Sequence, residues 1–210
     1  GKPMFSLDHK VEGMKYAAIV HPPAFGMKLT SFDKSSVTSL PGIQDAFKVK
    51  IFKDDYGRNF FDTTTFPEII AIVGNSTWEV LQAKKSLQAE WEEAPESTFP
   101  MAGRGGQTRD ISVPGGLENS TTHKEKMAEF QRKPGNVQRK DGDPEAAFKK
   151  AARVIERTYS APFLAHNTME PMNCFAEVKG DRAIIYGPTQ APDFIMNALS
   201  SSLELPKENI

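Results

Sequence analysis

The residues most able to do chemistry lie near the end of the chain, where Tyr159 to Pro192 reads YSAPFLAHNTMEPMNCFAEVKGDRAIIYGPTQAP. His166 and Glu170 stand four apart, a spacing that would share one helix face and could grip a metal. Pro171 follows at once, and the residue before a proline avoids helical backbone. A polar pair bracing an irregular turn is therefore the better reading. Cys174 opens a strand-like run, where a cysteine is more often a small buried apolar group than a nucleophile. No histidine stands beside it in sequence to activate it, though one could approach in space. Gln190 is the most informative position. Its side-chain amide can both donate and accept hydrogen bonds. It sits where a strand gives way to a helix, so the helix amides could join it in facing an anionic or oxo ligand. The plainer reading is a glutamine that caps the turn. Two other stretches attract notice. Gly103-Arg104-Gly105-Gly106 lacks the lysine and the following helix of a phosphate loop, and reads as linker. Phe60, Phe61 and Phe66 put three aromatics in one loop, either as a binding edge or packed onto the domain or a neighbour.

Composition narrows the classes. The chain has 210 residues, 39% hydrophobic and 25% charged, which suits a globular protein of one large or two small domains. A net charge of −1 gives no bulk footprint for nucleic acid or an anionic membrane. No apolar run approaches the ~20 residues of a spanning helix. One cysteine and four histidines allow no internal disulfide and no Cys-rich zinc or iron–sulfur site, and leave the compartment open. Gly1-Lys2-Pro3 is no natural start, and the chain stops soon after Leu205-Pro206, so the expectation is a piece of a longer protein.

The positioning elements follow from periodicity. Residues 14–21 read as a buried strand between Gly13 and Pro22-Pro23. A second strand runs from Lys28 to Asp33, and a helical turn from Ser35 to Leu40 can be capped by Asp33 or Ser35. Pro41-Gly42 is a turn. From Asp45 to Phe52, Phe47, Val49 and Ile51 alternate with Lys48 and Lys50 as a half-buried strand. Ile69–Val73 is too continuously apolar for an exposed strand. Ser76-x-x-Glu79 is a capping box opening a helix with Trp78, Leu81 and the stem of Lys85 along one face, and Leu87–Trp91 alternates as a strand. Residues 94–143, rich in proline and glycine, read as a long connector, in part mobile, with one helix near Thr122 to Phe130. Asp143 then caps a helix with Pro144 at its first position. Val154 to Tyr159 alternates as a strand, Phe175–Val178 and Ala183–Tyr186 form a hairpin about Lys179-Gly180-Asp181, and Ala191–Leu203 is an amphipathic helix.

The order H-x-x-M-E-P-M-N-C from His166 to Cys174, then strand, then P-T-Q-x-P from Pro188 to Pro192, resembles the large subunit of the molybdenum hydroxylases. This is the xanthine dehydrogenase and aldehyde oxidase family, and the likeness is greatest to the isoquinoline 1-oxidoreductase beta subunit type. Earlier in the chain, A-I-V-G-N-S-T-W-E-V-L-Q-A-K-K-S-L-Q-A-E-W-E-E from Ala71 to Glu93 resembles that family's α/β hammerhead domain. Gly13-Met14-Lys15-Tyr16-Ala17-Ala18 and Leu40-Pro41-Gly42-Ile43 match its opening. The resemblance implies an α+β fold: a hammerhead domain over 1–93, a linker over 94–143, and over 144–210 the N-terminal part of the first molybdenum-cofactor-binding domain.

It further implies an oxidoreductase that hydroxylates an aldehyde or N-heteroaromatic carbon with oxygen from water and passes electrons to iron–sulfur clusters. The cofactor would be molybdopterin, in its cytosine dinucleotide form, carrying molybdenum, and the partner a small 2Fe-2S subunit in a bacterial cytoplasm or periplasm. Gln190 maps onto the glutamine that hydrogen-bonds an oxygen of the molybdenum centre. The family's pterin-binding loops and catalytic glutamate lie beyond this chain. The expectation is thus no catalytic or metal-ligating residue here, no cofactor held or turnover by the chain alone, and an open edge that could self-associate. A stand-alone α+β binding or scaffold module, contacting partners through the phenylalanine loop or the Met169–Cys174 turn, stays open as the alternative.

Overall fold

The computed structural model describes residues 5–54, 56–59, 66–103 and 106–210. In chain order these form β1 (Tyr16–Val20), β2 (Met27–Asp33), the one-turn α1 (Ser35–Thr38), β3 (Ile43–Lys50), β4 (Arg58–Asn59), β5 (Glu68–Gly74), α2 (Thr77–Ser86) and β6 (Gln88–Glu93). There follow β7 (Ser97–Ala102), β8 (Thr108–Val113), α3 (Ser120–Gln131), α4 (Pro144–Lys150), β9 (Phe175–Lys179), β10 (Arg182–Tyr186) and α5 (Pro192–Leu203). Backbone contacts divide the chain into two units, 1–118 with 170–210, and 119–169. Among the described residues no helix is long and apolar enough to cross a membrane.

The core of the first unit lies on one side of an antiparallel sheet ordered β1-β5-β3. β5 is central, and Ile70, Ala71 and Ile72 are all buried, as its unbroken apolar run requires. Ile72 faces Ala18 on β1 and Ala46 on β3, and it packs with Ala46, Val37 of α1 and Ala83 of α2. Phe32, Leu40 and Leu87 close the cluster. β2 pairs with β6 in a separate antiparallel ribbon, with a bulge between Leu29 and Ser31.

α2 starts where its cap dictates. The Ser76 hydroxyl oxygen accepts the Glu79 N–H at 3.2 Å and donates its own proton to Glu79 Oε2 at 2.8 Å. The glutamate thus reaches back to the serine hydroxyl, a variant of the reciprocal box. The helix buries Val80 and Ala83, leaving Trp78 71% exposed and Leu81 46% exposed, so the face that packs is not the Trp78–Leu81 line. Small side chains at Ala83, Ala18 and Ala46 let helix and sheet approach closely, which the bulkier line would prevent. A related correction applies to β3. Phe47 and Val49 do share a face, but Ala46 is the residue in the core, while Phe47 remains 43% exposed beside Ile19 on the opposite face of the sheet. The bulge between Ile43 and Asp45 inserts one residue and brings Ile43 and Ala46 to the helix side together.

The stretch read as connector is more ordered than its composition suggests. β7 and β8 pair antiparallel, β4 adds to β7 in parallel, and α3 covers the helix expected near Thr122 to Phe130. The second unit holds α3 and α4. Both caps work as their residues imply: Asn119 Oδ1 accepts the Thr122 N–H and Asp143 Oδ1 the Ala146 N–H, each at 3.0 Å. The expected strand from Val154 to Tyr159 is not formed. The segment alternates correctly but has no neighbouring strand among the described residues, and its side chains are exposed. Without ladder partners, extended backbone satisfies its amides in water.

Candidate functional site

Gln190 lies at the junction of β10 and α5, as its sequence context requires, with its side chain exposed. The register Tyr186↔Phe175 ends the hairpin, and Gly187-Pro188-Thr189-Gln190 leads into the helix. Thr189 Oγ1 accepts the Ala191 N–H at 3.0 Å and fixes the entry to α5. Ala191, at the N-cap, brings no side-chain acceptor, and Pro192 occupies the first turn. The leading turn of α5 therefore offers uncapped polar backbone beside the Gln190 amide.

The Asn173–Cys174 turn is held against the same segment. A Cβ built on Gly187 would stand 3.2 Å from Cys174 Cβ, so only a residue without a side chain fits there unstrained. Asn173 Nδ2 donates to Pro171 O at 2.6 Å, and Ser6 Oγ donates to Asn173 Oδ1 at 2.6 Å. His9 packs edge-on against the end of the hairpin, with ring centroids 4.4 Å from Phe175 and 4.7 Å from Tyr186. Residues before β1 thus brace the turn that precedes β9. Cys174 itself is exposed, not the buried apolar group expected, because it flanks the hairpin instead of pointing into a second layer.

No cluster of three or more His, Cys, Asp or Glu side chains suited to a metal occurs among the described residues. The donor set near Gln190 is one primary amide, one hydroxyl and helix-end backbone. It suits hydrogen bonding to an oxygen ligand and not direct metal ligation. A pterin-borne metal, held by its own sulfurs, makes no demand that this set fails to meet.

Of the phenylalanine loop, Phe60 and Phe61 lie outside the described residues, as do Arg104 and Gly105 of the glycine-rich stretch. Phe66 packs on its own domain: its ring stacks on His21 at 5.0 Å and on Phe25 at 5.3 Å. The sequence gives no warning of a second feature close by. The Arg58 guanidinium lies over two rings, 4.1 Å from the Phe99 centroid and 4.7 Å from that of Phe52, and Tyr56 stacks on Phe52 at 5.0 Å. These residues line a cavity of about 400 Å³. They come from the β3–β4 loop, β4 and β7, and β4 pairs with β7.

Residues 128–210 match the model of the molybdopterin cofactor-binding domain family. Over 212 residues the chain is 23% identical to a membrane-bound aldehyde dehydrogenase [pyrroloquinoline-quinone] of Gluconacetobacter polyoxogenes, covering all of this chain and 24% of that protein. It is 31% identical over 86 residues to the aldehyde oxidoreductase molybdenum-binding subunit PaoC of Escherichia coli K12, covering 41% of this chain and 12% of PaoC. It is 23% identical over 223 residues to the nicotinate dehydrogenase large molybdopterin subunit of Eubacterium barkeri, covering all of this chain and 48% of that subunit. The chain thus spans less than half the length of these relatives. In structure it resembles quinoline 2-oxidoreductase of Pseudomonas putida 86, with a TM-score of 0.59 at 18% identity, over 98% of this chain and 27% of the other.

Proposed function

We propose that the chain belongs to the molybdenum hydroxylase family and is part of the molybdenum-binding catalytic subunit of an oxidoreductase acting on an aldehyde or an N-heteroaromatic ring. The observation that carries this reading is Gln190. It stands within the matched stretch 128–210, exposed at the strand-to-helix junction, with Thr189 fixing the turn through the Ala191 N–H at 3.0 Å. One relative is named for pyrroloquinoline quinone, but the matched family, PaoC and the nicotinate dehydrogenase subunit are all named for molybdenum or molybdopterin.

When bound, the molybdenum cofactor would supply the two-electron chemistry that hydroxylates the substrate carbon with oxygen from water. The role of this chain is to orient. Gln190 would help hold the cofactor by donating its side-chain amide N–H to an acceptor on the group. Thr189 holds the glutamine's backbone in place by accepting from Ala191, and the uncapped first turn of α5 adds a favourable dipole for that acceptor. Residues 1–93 would serve as the hammerhead domain. A separate small 2Fe-2S subunit would take the electrons, and the pterin would be the cytosine dinucleotide form. The 210 residues alone would neither hold the cofactor nor turn over.

Metal analysis by mass spectrometry tests the proposal on two samples, the 210-residue chain and the intact parent protein from its native host. The expected result is near-stoichiometric molybdenum in the parent and none in the chain. A folded, partner-bound parent without molybdenum would overturn the enzyme reading and leave a stand-alone α+β binding module. In the loaded parent, Gln190→Ala should keep the metal while kcat falls about a hundredfold, the usual cost of one preorganised donor.

A further inference from the structure

The Arg58 cavity lies outside everything assigned above. Three cations line it, and two are already neutralised: Lys50 pairs with Asp54 and Lys53 with Glu204. Arg58 has no carboxylate partner among the described residues, although it is half-buried and its charge is held over the rings of Phe52 and Phe99. Cation–π contacts engage the flat face of a guanidinium and leave its in-plane N–H fork free for a planar anion. Asp54, the partner of Lys50, also lines the cavity, and the rest of the wall is made by Phe52, Tyr56, Gly57, Pro67, Phe99 and Pro100. A cavity of about 400 Å³ falls in the size range of small-molecule sites, in which a few placed polar groups orient an apolar body.

We infer that the cavity beside Arg58 binds a small carboxylic acid with a flat apolar body, its carboxylate seated on the Arg58 guanidinium and its ring against Phe52 and Phe99. One uncompensated positive charge favours a monoanion over a polyphosphate. The fork favours a carboxylate, which it can meet with two parallel hydrogen bonds. The aromatic and proline walls favour a ring over a short hydrophilic acid. This site is independent of Gln190 and of any cofactor.

Benzoate is the probe. The ¹⁵N-labelled 210-residue chain is titrated separately with benzoate, with the neutral benzamide and with inorganic phosphate, following the backbone amides of Phe52, Tyr56, Gly57, Arg58 and Phe99. Benzoate should give saturable shifts at these positions, with a Kd in the millimolar range. Benzamide should give none, and phosphate should bind at least about tenfold more weakly, a difference of ~1.4 kcal/mol. Arg58→Gln should abolish the benzoate shifts while the amides of β5 and α2 keep their positions. Phe99→Leu, which retains the charge, should weaken benzoate and leave phosphate unchanged. Absence of saturable shifts with benzoate, or unchanged shifts in Arg58→Gln, would overturn the site. Phosphate binding as tight as benzoate would reduce it to a bare charge contact and overturn the proposed ligand class.

Discussion

Ile72 and Ile19 offer the sharpest test of where the core lies. Both are isoleucines on neighbouring antiparallel strands, but they face opposite sides of the sheet. Ile72 is fully buried among Val37, Ala46 and Ala83, whereas Ile19 is 43% exposed. Cutting Ile72 back to alanine removes buried carbons worth ~0.8 kcal/mol each, about 2.4 kcal/mol in transfer alone. Its neighbours include two alanines and a valine on rigid elements, which cannot collapse far into the gap. The cavity term then brings the total to about 3–4 kcal/mol, inside the usual range for such truncations. Ile19→Ala forfeits only partly buried surface and should cost less than about 1 kcal/mol. Urea unfolding followed by far-ultraviolet circular dichroism, at several protein concentrations, measures both. Equal losses at the two positions would refute the one-sided core. A large, concentration-dependent loss at Ile19 alone would mean that a second copy covers the open face.

Other outcomes follow from single positions. Gly74→Ala should destabilise by about 1–3 kcal/mol in the same assay, because the new Cβ would stand 2.9 Å from both Gly42 O and Val80 Cγ1. Ser76→Ala removes the acceptor of the Glu79 N–H and should cost about 0.5–2 kcal/mol, whereas the exposed Trp78→Ala should change stability by less than about 0.5 kcal/mol. The Asp33 carboxyl is held below the ordinary aspartate range, first by the Ser35 hydroxyl and then by the Ser35 N–H. Its depressed value contributes stability above the unfolded pKa that is lost as pH falls through the folded one. A carbon-detected titration should show Ser35→Ala moving Asp33 back up, and an unmoved value would contradict the assignment.

Much of the first unit was legible where local chemistry and tertiary packing agree. Ser76 caps α2 and the apolar run of β5 marks the central strand, and in the second unit Asp143 caps α4 in the same way. Legibility failed where the decision belongs to a neighbour. α2 carries two apolar lines, and the small residues opposite, not the helix itself, select Val80 and Ala83. The β7–β8 hairpin was hidden by Pro100, which ordinarily argues against a strand. It is tolerated here because β4 pairs only with Met101 and Ala102. Val154 to Tyr159 shows the reverse case, a correct alternation without a partner to complete it. The position of Gln190 could be read from sequence because the strand-to-helix junction that carries it is set by local pattern. The Arg58 cavity could not, since residues over forty positions apart must meet to make it.

The exposed Cys174 has a practical consequence. It is the chain's single thiol, and it adjoins Gly187 at the start of the segment that leads to Gln190. A maleimide dye or nitroxide would therefore attach at one defined place, without engineering away other cysteines. From there it would report on the environment of the Gln190 turn. Change in its mobility when a candidate binding partner is added would track contact around that turn directly. Under oxidising conditions the same thiol can form a disulfide only with another molecule, so a covalent dimer on a non-reducing gel would have one possible linkage.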